Sequence, residues 1–249
     1  MLAENDNIFN DSPVKSAGKV NFNAASQNGY LTNENYKALR TNILFCGTDV
    51  KTIVLTSARA GEGKSTVSAA LAKSLADAGK KTIFIDADMR KSVLMRRSAA
   101  SRGFYGLSEY LSGQVEFSDV LYNTQIPNFD VAFSGRFPPN PVELLGSQRF
   151  TDLLDKLKSM YDYVIIDSPP LGAVIDAAVI ASHCDGAVIV ISPGCIPCSE
   201  YISVKEQLAK SGCKILGAVL NDIHNKCTKH YKKYYGEREY SYDAKKIKY

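Results

Sequence analysis

The sequence predicts an α/β fold, a mostly parallel sheet with helices on both faces. Short apolar runs suited to strands recur at 52–55, 81–86, 161–167, 186–191 and 214–220. Segments with helical period fall between them, near 67–78, 147–160, 176–182 and 200–210. Strands that alternate with helices pair in parallel, and the helices then cover both faces. In addition, carboxylates and a glycine loop gather just past the strand ends, where open parallel sheets hold their ligands. A chain of 249 residues suits one such domain, or at most two.

Taken in order, residues 1–30 are rich in Asn, Ser and Asp with few apolar anchors, and read as a flexible N-terminal arm. A helix is expected from Thr32 or Asn33, either of which can cap it, to Phe45. Its Tyr36, Leu39 and Ile43 form a core-facing stripe, and Glu34, Lys37 and Arg40 recur every three residues beside it. The β-branched run Thr52–Leu55 is the first strand of the main unit, followed by Thr56-Ser-Ala-Arg-Ala-Gly-Glu-Gly-Lys-Ser-Thr66. A helix follows, with Val67, Ala70, Leu71, Ser74, Leu75 and Ala78 in period.

Strand, glycine loop and helix together are the setting of a phosphate-binding loop, so the sheet is P-loop NTPase-like. Gly61 and Gly63 let backbone amides approach phosphate oxygens, and the helix start adds its positive dipole end. Residues Arg59, Ala60, Gly61, Glu62, Gly63, Lys64, Ser65 and Thr66 are the expected nucleotide-binding set. Lys64 reaches the β- and γ-phosphates of a nucleoside triphosphate, and the Ser65 hydroxyl ligates Mg²⁺. The first glycine position of the motif is Ala58, a mild departure.

Gly79 closes that helix, and Lys81–Asp86 is the next strand, ending in Asp86-Ala-Asp88-Met-Arg90. Residues 91–103 are basic and irregular, 106–111 suit a short helix, and Phe129–Phe133 suits a strand. Three prolines break regular structure between Gly135 and Pro141. Ser147–Met160 returns to helical period, and the buried strand Tyr161–Asp167 ends in one carboxylate, the form of a Walker B aspartate. The last strand stops at Asn221-Asp222. The expected main domain thus spans 31–225, with a separate tail at 226–249.

The tail holds eight Lys/Arg against three Asp/Glu, a net of +5, which leaves the remainder of the +4 chain at −1. It also holds Tyr231, Tyr234, Tyr235, Tyr240, Tyr242 and Tyr249, six of the fourteen tyrosines. A basic, aromatic tail suits nucleic acid or an anionic membrane. Charge does not explain why the aromatic is always tyrosine, with no Phe or Trp after Phe150. Six scattered cysteines, with a lone C-x-x-C at Cys195 and Cys198, read as reduced thiols rather than a framework. No apolar run approaches the roughly 18 residues of a membrane span, and no signal-peptide core opens the chain. The expectation is a soluble, intracellular protein.

This combination resembles the bacterial tyrosine kinases of capsule and exopolysaccharide synthesis, relatives of the MinD/ParA-type ATPases. The loop Ala58–Ser65, the motif Ile83-Phe-Ile-Asp86-Ala-Asp88-Met-Arg90, the strand ending Asp167-Ser-Pro-Pro170 and the tyrosine cluster carry the resemblance. The stretches Gly135–Ser147 and Glu34–Asn42 are also similar. Arg59 stands where MinD/ParA-type proteins have a lysine, Lys37 replaces the middle arginine of the family's E-x-x-R-x-x-R, and Lys91–Leu94 lacks the family's Pro and His.

The resemblance implies ATP-dependent phosphorylation of the tail tyrosines, between chains of a homo-oligomer whose contact uses Glu34, Lys37 and Arg40. It implies catalytic roles for Lys64, Asp86, Asp88 and Asp167. Ser65, Asp88 and Asp167 would ligate the Mg²⁺ that accompanies ATP, Asp86 would accept the tyrosine proton, and Asn221 would read the adenine edge. The chain would act at the inner face of the membrane through a separate transmembrane activator, on further protein tyrosine substrates, with no nucleic-acid partner. A MinD/ParA-like positioning ATPase and a non-enzymatic nucleotide-binding subunit remain the alternatives.

Overall fold

The computed structural model describes residues 16–22, 30–92, 104–194 and 196–221. In chain order its elements begin with β1 (Gly18–Val20), α1 (Tyr30–Leu44), β2 (Thr52–Ser57), α2 (Lys64–Asp77) and β3 (Thr82–Asp86). Then come α3 (Leu107–Leu111), β4 (Tyr122–Thr124), β5 (Phe129–Ala132), α4 (Pro141–Leu145) and α5 (Gln148–Met160). The chain continues through β6 (Tyr163–Asp167), α6 (Asp176–Ala181), β7 (Gly186–Ile191), α7 (Cys198–Lys210) and β8 (Ile215–Leu220). The strands form one sheet in the order β1-β4-β5-β3-β6-β2-β7-β8. All neighbouring pairs are parallel except β4 and β5.

The central strands are β-branched and buried on both faces, which is why they read as unbroken apolar runs rather than as alternation. Their side chains divide between two cores. Val54, Ile83, Ile85, Val164 and Ile166 pack with residues of α3, α5, α6 and α7. Ile53, Leu55, Phe84 and Ile165 pack with α2 and with Ile43 of α1. Tyr36 and Leu39 join that second core, so the expected α1 stripe is in place. The helix itself starts at Tyr30, earlier than expected.

The expected flexible arm over 1–30 needs correction where the chain is described. Residues 18–20 pair with β4 as an edge strand, and Val20 and Phe22 are buried. Phe22 sits against Phe84 and Phe129 at ring-centroid distances of 5.8 and 5.2 Å. The Gln125 side chain accepts from the Phe22 amide and donates to its carbonyl, both at 2.8 Å, as a strand partner would. Two apolar residues and one borrowed amide are thus enough to hold the segment. Strand β4 was also missed, because three residues with one apolar side chain carry no period.

At the far edge β8 is largely exposed, with Leu220 half in solvent. Among the described residues no helix is long and apolar enough to cross a membrane. The tyrosine cluster at 231–249 lies outside the described residues.

Candidate active site

The site lies where β2, β3 and β6 end. Strand β2 feeds the loop into α2, which starts at Lys64. Gly63 caps that helix in the left-handed region, φ 82°, as does Gly61 at φ 88°. A Cβ on Gly63 would also stand 2.0 Å from the Asn221 side-chain nitrogen and push it aside, so it is the backbone angle that reserves the position for glycine. Ser57 Oγ donates to the Arg59 carbonyl at 2.9 Å and Asn221 Nδ2 to the Glu62 carbonyl at 2.9 Å, bracing the loop from below. A cavity of about 570 Å³ opens above it, bordered by residues 59–66, Asp88, Arg90, Lys91 and the Pro169-Pro170 turn.

Two carboxylates meet through sheet register. Asp86 and Asp167 are the last residues of β3 and β6, and they are register partners in that ladder. Each is only 1% exposed. Burial, followed by the nearby Asp167 charge, pushes the Asp86 carboxyl up to about 7. Asp86 accepts from the Ser92 hydroxyl and, at 3.2 Å, from the Asp88 amide. Asp88 is half-buried on the cavity wall and accepts from the amides of Arg90 and Lys91 at 3.2 and 2.9 Å. The Arg90 guanidinium forks onto the buried Asp176 of α6 at 2.9 and 3.1 Å, pinning the turn after β3.

Lys64 is folded onto Asp167, Nζ to Oδ1 at 2.6 Å, with side chains 7% and 2% exposed. Ser65 Oγ lies 3.4 Å from the same ammonium. Two of the three expected Mg²⁺ ligands therefore already converge on a cation, here the lysine's own. That donor set is hard oxygen, which fits Mg²⁺. Among the described residues no cluster of three or more His, Cys, Asp or Glu is arranged to hold a metal by itself.

Other expected residues sit differently from one another. The Arg59 backbone borders the loop, while its guanidinium forks onto Glu200 of α7 at 2.9 and 2.6 Å. Asn221 packs on the loop rather than along the cavity lining. Of the α1 stripe, Glu34 and Lys37 form an exposed ion pair at 2.8 Å. Arg40 instead turns onto α2, donating to the Ser74 carbonyl at 2.8 Å.

Several contributors were missed in the sequence. Ser68 Oγ lies 3.1 Å from Asp167 Oδ1 and 2.9 Å from the Lys64 carbonyl. Its place four residues after Lys64, on the same face of the helix, was the available signal. Asp176, Glu200 and Tyr201 reach the site only through tertiary packing, and no local pattern marks them.

A family model described as an AAA domain matches residues 50–229. Tyrosine-protein kinase CpsD of Streptococcus agalactiae is 45% identical over 210 residues, covering 84% of this chain and 91% of that protein. The crystal structure of the chimerical protein CapA2B2 is similar at TM-score 0.73 and 34% identity, over 83% of this chain and 93% of that one. The septum site-determining protein MinD of Pyrococcus horikoshii OT3, solved with Mg-ADP, is similar at TM-score 0.59 and 26% identity, over 69% and 70% of the two chains. With the loop, the paired carboxylates and these likenesses together, the chain belongs to the bacterial tyrosine-protein kinases, a branch of the P-loop ATPases related to MinD.

Proposed function

We propose that the chain transfers the γ-phosphoryl group of ATP to tyrosine hydroxyls, first among them its own cluster at Tyr231, Tyr234, Tyr235, Tyr240, Tyr242 and Tyr249, and so controls capsular or exopolysaccharide synthesis and export. The observation that carries this reading is the register pair Asp86 and Asp167 beside Lys64 and the phosphate loop. Transfer to tyrosine needs an acceptor for the hydroxyl proton, and Asp86 is a carboxyl whose buried setting raises its basicity.

Phosphoryl transfer asks mainly for positioning and charge stabilisation. The loop amides and the α2 N-terminus receive the phosphates. Lys64 leaves Asp167 and swings to the β- and γ-phosphates, which frees the Asp167 carboxylate. Ser65 and Asp167, with Asp88 alongside, would then hold Mg²⁺, which neutralises charge on the phosphates when bound. Asp86 accepts the proton of the attacking phenol as the O–P bond forms. A phenol with a pKa of about 10 needs that help only late in the step. Asn221, already against the loop, is the residue assigned to the adenine edge.

The Glu34–Lys37–Arg40 stripe is assigned to contact with a second copy, and a separate membrane protein to activation at the inner face of the membrane. The resemblance supports both, and the named chimera of two Cap proteins is in keeping with a two-part arrangement. The test mixes a Lys64→Met chain that keeps its tail with an active chain ending at Asn225, in Mg-ATP with an activator fragment. Intact mass should show phosphate on the Lys64→Met chain, and Arg40→Ala on both chains should suppress it. A Lys64→Met chain that stays unmodified, while wild type modifies itself at a rate independent of concentration, would overturn transfer between chains. ATP turnover with no phosphotyrosine on any chain would favour a positioning ATPase.

A further inference from the structure

Glu62 puts a carboxylate inside a loop whose amides are to receive phosphates. It is 3% exposed, and it borders the cavity. Both of its oxygens are occupied within the protein. Oε2 accepts from the Arg59 amide at 2.8 Å, while Oε1 accepts from the Tyr201 hydroxyl and lies 3.4 Å from the Ser192 amide. The Tyr201 hydroxyl is also 3.3 Å from the Ser192 carbonyl, so it sits in a fixed polar corner. Tyr201 is on the first turn of α7, next to Glu200, which holds the Arg59 guanidinium.

The two tethers from α7 are unequal. Arg59 and Glu200 are 59% and 36% exposed, and an exposed pair of this kind contributes little. The Tyr201 contact reaches a buried carboxylate, where a bond to a charged acceptor counts for far more. A Glu62 side chain that lost it would keep one well-placed donor and would have the triphosphate cavity open beside it. A carboxylate directed there opposes a polyanion.

We infer that Tyr201 is a positioning residue for the nucleotide: it holds the Glu62 carboxylate out of the triphosphate site, so that α7 sets the loop's affinity for ATP. This rests on the assignment of residues 59–66 as the phosphate loop.

The test compares Tyr201→Phe, Glu62→Gln and the double variant in the full chain. The readouts are KM for Mg-ATP, kcat, the dissociation constant for ATP and the melting temperature. Tyr201→Phe should raise KM and the dissociation constant about tenfold, the loss expected for one hydrogen bond to a charged acceptor, with kcat changing by less than about twofold. Glu62→Gln sets the reference for the double variant, because its amide carries no charge to oppose the triphosphate. In the double variant the neutral amide should bring KM back to the Glu62→Gln value. Tyr201→Phe with unchanged KM would overturn the inference. So would a tenfold loss that Glu62→Gln fails to rescue, because Tyr201 would then act only through general packing. Lys64→Met serves as the control on the loop. If it bound ATP like wild type, the loop assignment would fail and the inference with it, whatever Tyr201→Phe did.

Discussion

Without nucleotide, replacing Lys64 by Met should destabilise the fold by about 3 kcal/mol, because it strands a buried carboxylate. The contact is 2.6 Å long between side chains 7% and 2% exposed, so neither charge can return to water without local opening. Among the described residues Asp167 would keep the Ser68 hydroxyl at 3.1 Å, which places the cost at the lower end of the roughly 3–5 kcal/mol for breaking a buried pair from one side. Asp167→Asn should cost about the same, since the buried Lys64 ammonium would lose its counter-charge and be left with neutral acceptors, the new amide oxygen and Ser65 Oγ at 3.4 Å. The double variant removes both charges and should lose no more than either single one, giving a coupling of about 3 kcal/mol. Urea unfolding followed by circular dichroism measures this. With a slope near 3 kcal/mol per molar for a chain of this size, each variant should lower the midpoint by about 1 M. A double variant whose shift is the sum of the two singles, with coupling inside about 0.5 kcal/mol, would refute mutual neutralisation of Lys64 and Asp167 in nucleotide-free protein.

Three further outcomes are expected. Asp86→Asn, Asp88→Asn and Asp167→Asn should each remove most phosphotyrosine signal, and excess Mg²⁺ should partly restore the Asp88 and Asp167 variants but not Asp86; equal rescue of all three would assign Asp86 to the metal instead of the proton. Phe22→Ala should cost about 3–5 kcal/mol in chemical unfolding, as for other buried phenylalanines, and a loss below about 1 kcal/mol would mean that β1 does not hold in solution. Burial alone raises the Asp185 carboxyl, but the bonds from Lys158, the Thr52 amide and hydroxyl, and the Lys51 amide outweigh it and hold the group below the ordinary carboxylate range. A lowered folded-state value means stabilisation that is complete above the unfolded pKa of about 3.9 and lost as pH falls through the folded value. Asp185→Asn should therefore cost about 2 kcal/mol at neutral pH, and a gap undiminished at about pH 2 would contradict the assignment.

Much of the site was legible in the sequence because it is built from contiguous signals. Gly61, Gly63, Lys64 and Ser65 follow a β-branched run and open a helix, and Asp86 and Asp167 each end a buried strand. What the sequence could not supply was who holds those residues in place. Arg90 finds Asp176 across 86 positions, and Tyr201 finds Glu62 across 139. Such pairs leave no period and no local composition. Residues 18–22 failed for a related reason: Phe22 is an anchor only because Phe84 and Phe129 form its pocket and Gln125 supplies its hydrogen bonds. Arg40 shares the three-residue spacing of Glu34 and Lys37, yet its reach to the Ser74 carbonyl depends on how α1 lies against α2.

The register between Asp86 and Asp167 has a consequence for how the site endures change. Parallel strands stand about 4.8 Å apart, and both residues are bonded into ladders, β6 lying between β3 and β2. The spacing of the two backbones is therefore a property of the sheet and not of any loop. Loops around the cavity can lengthen, reshape or change their charge over evolutionary time while the carboxylates keep their separation. A thermal fluctuation that parted them would have to unzip ladders at the centre of the molecule. Amide hydrogens of residues 83–86 and 164–167 should accordingly be among the slowest in the chain to exchange with solvent, opening only with global unfolding.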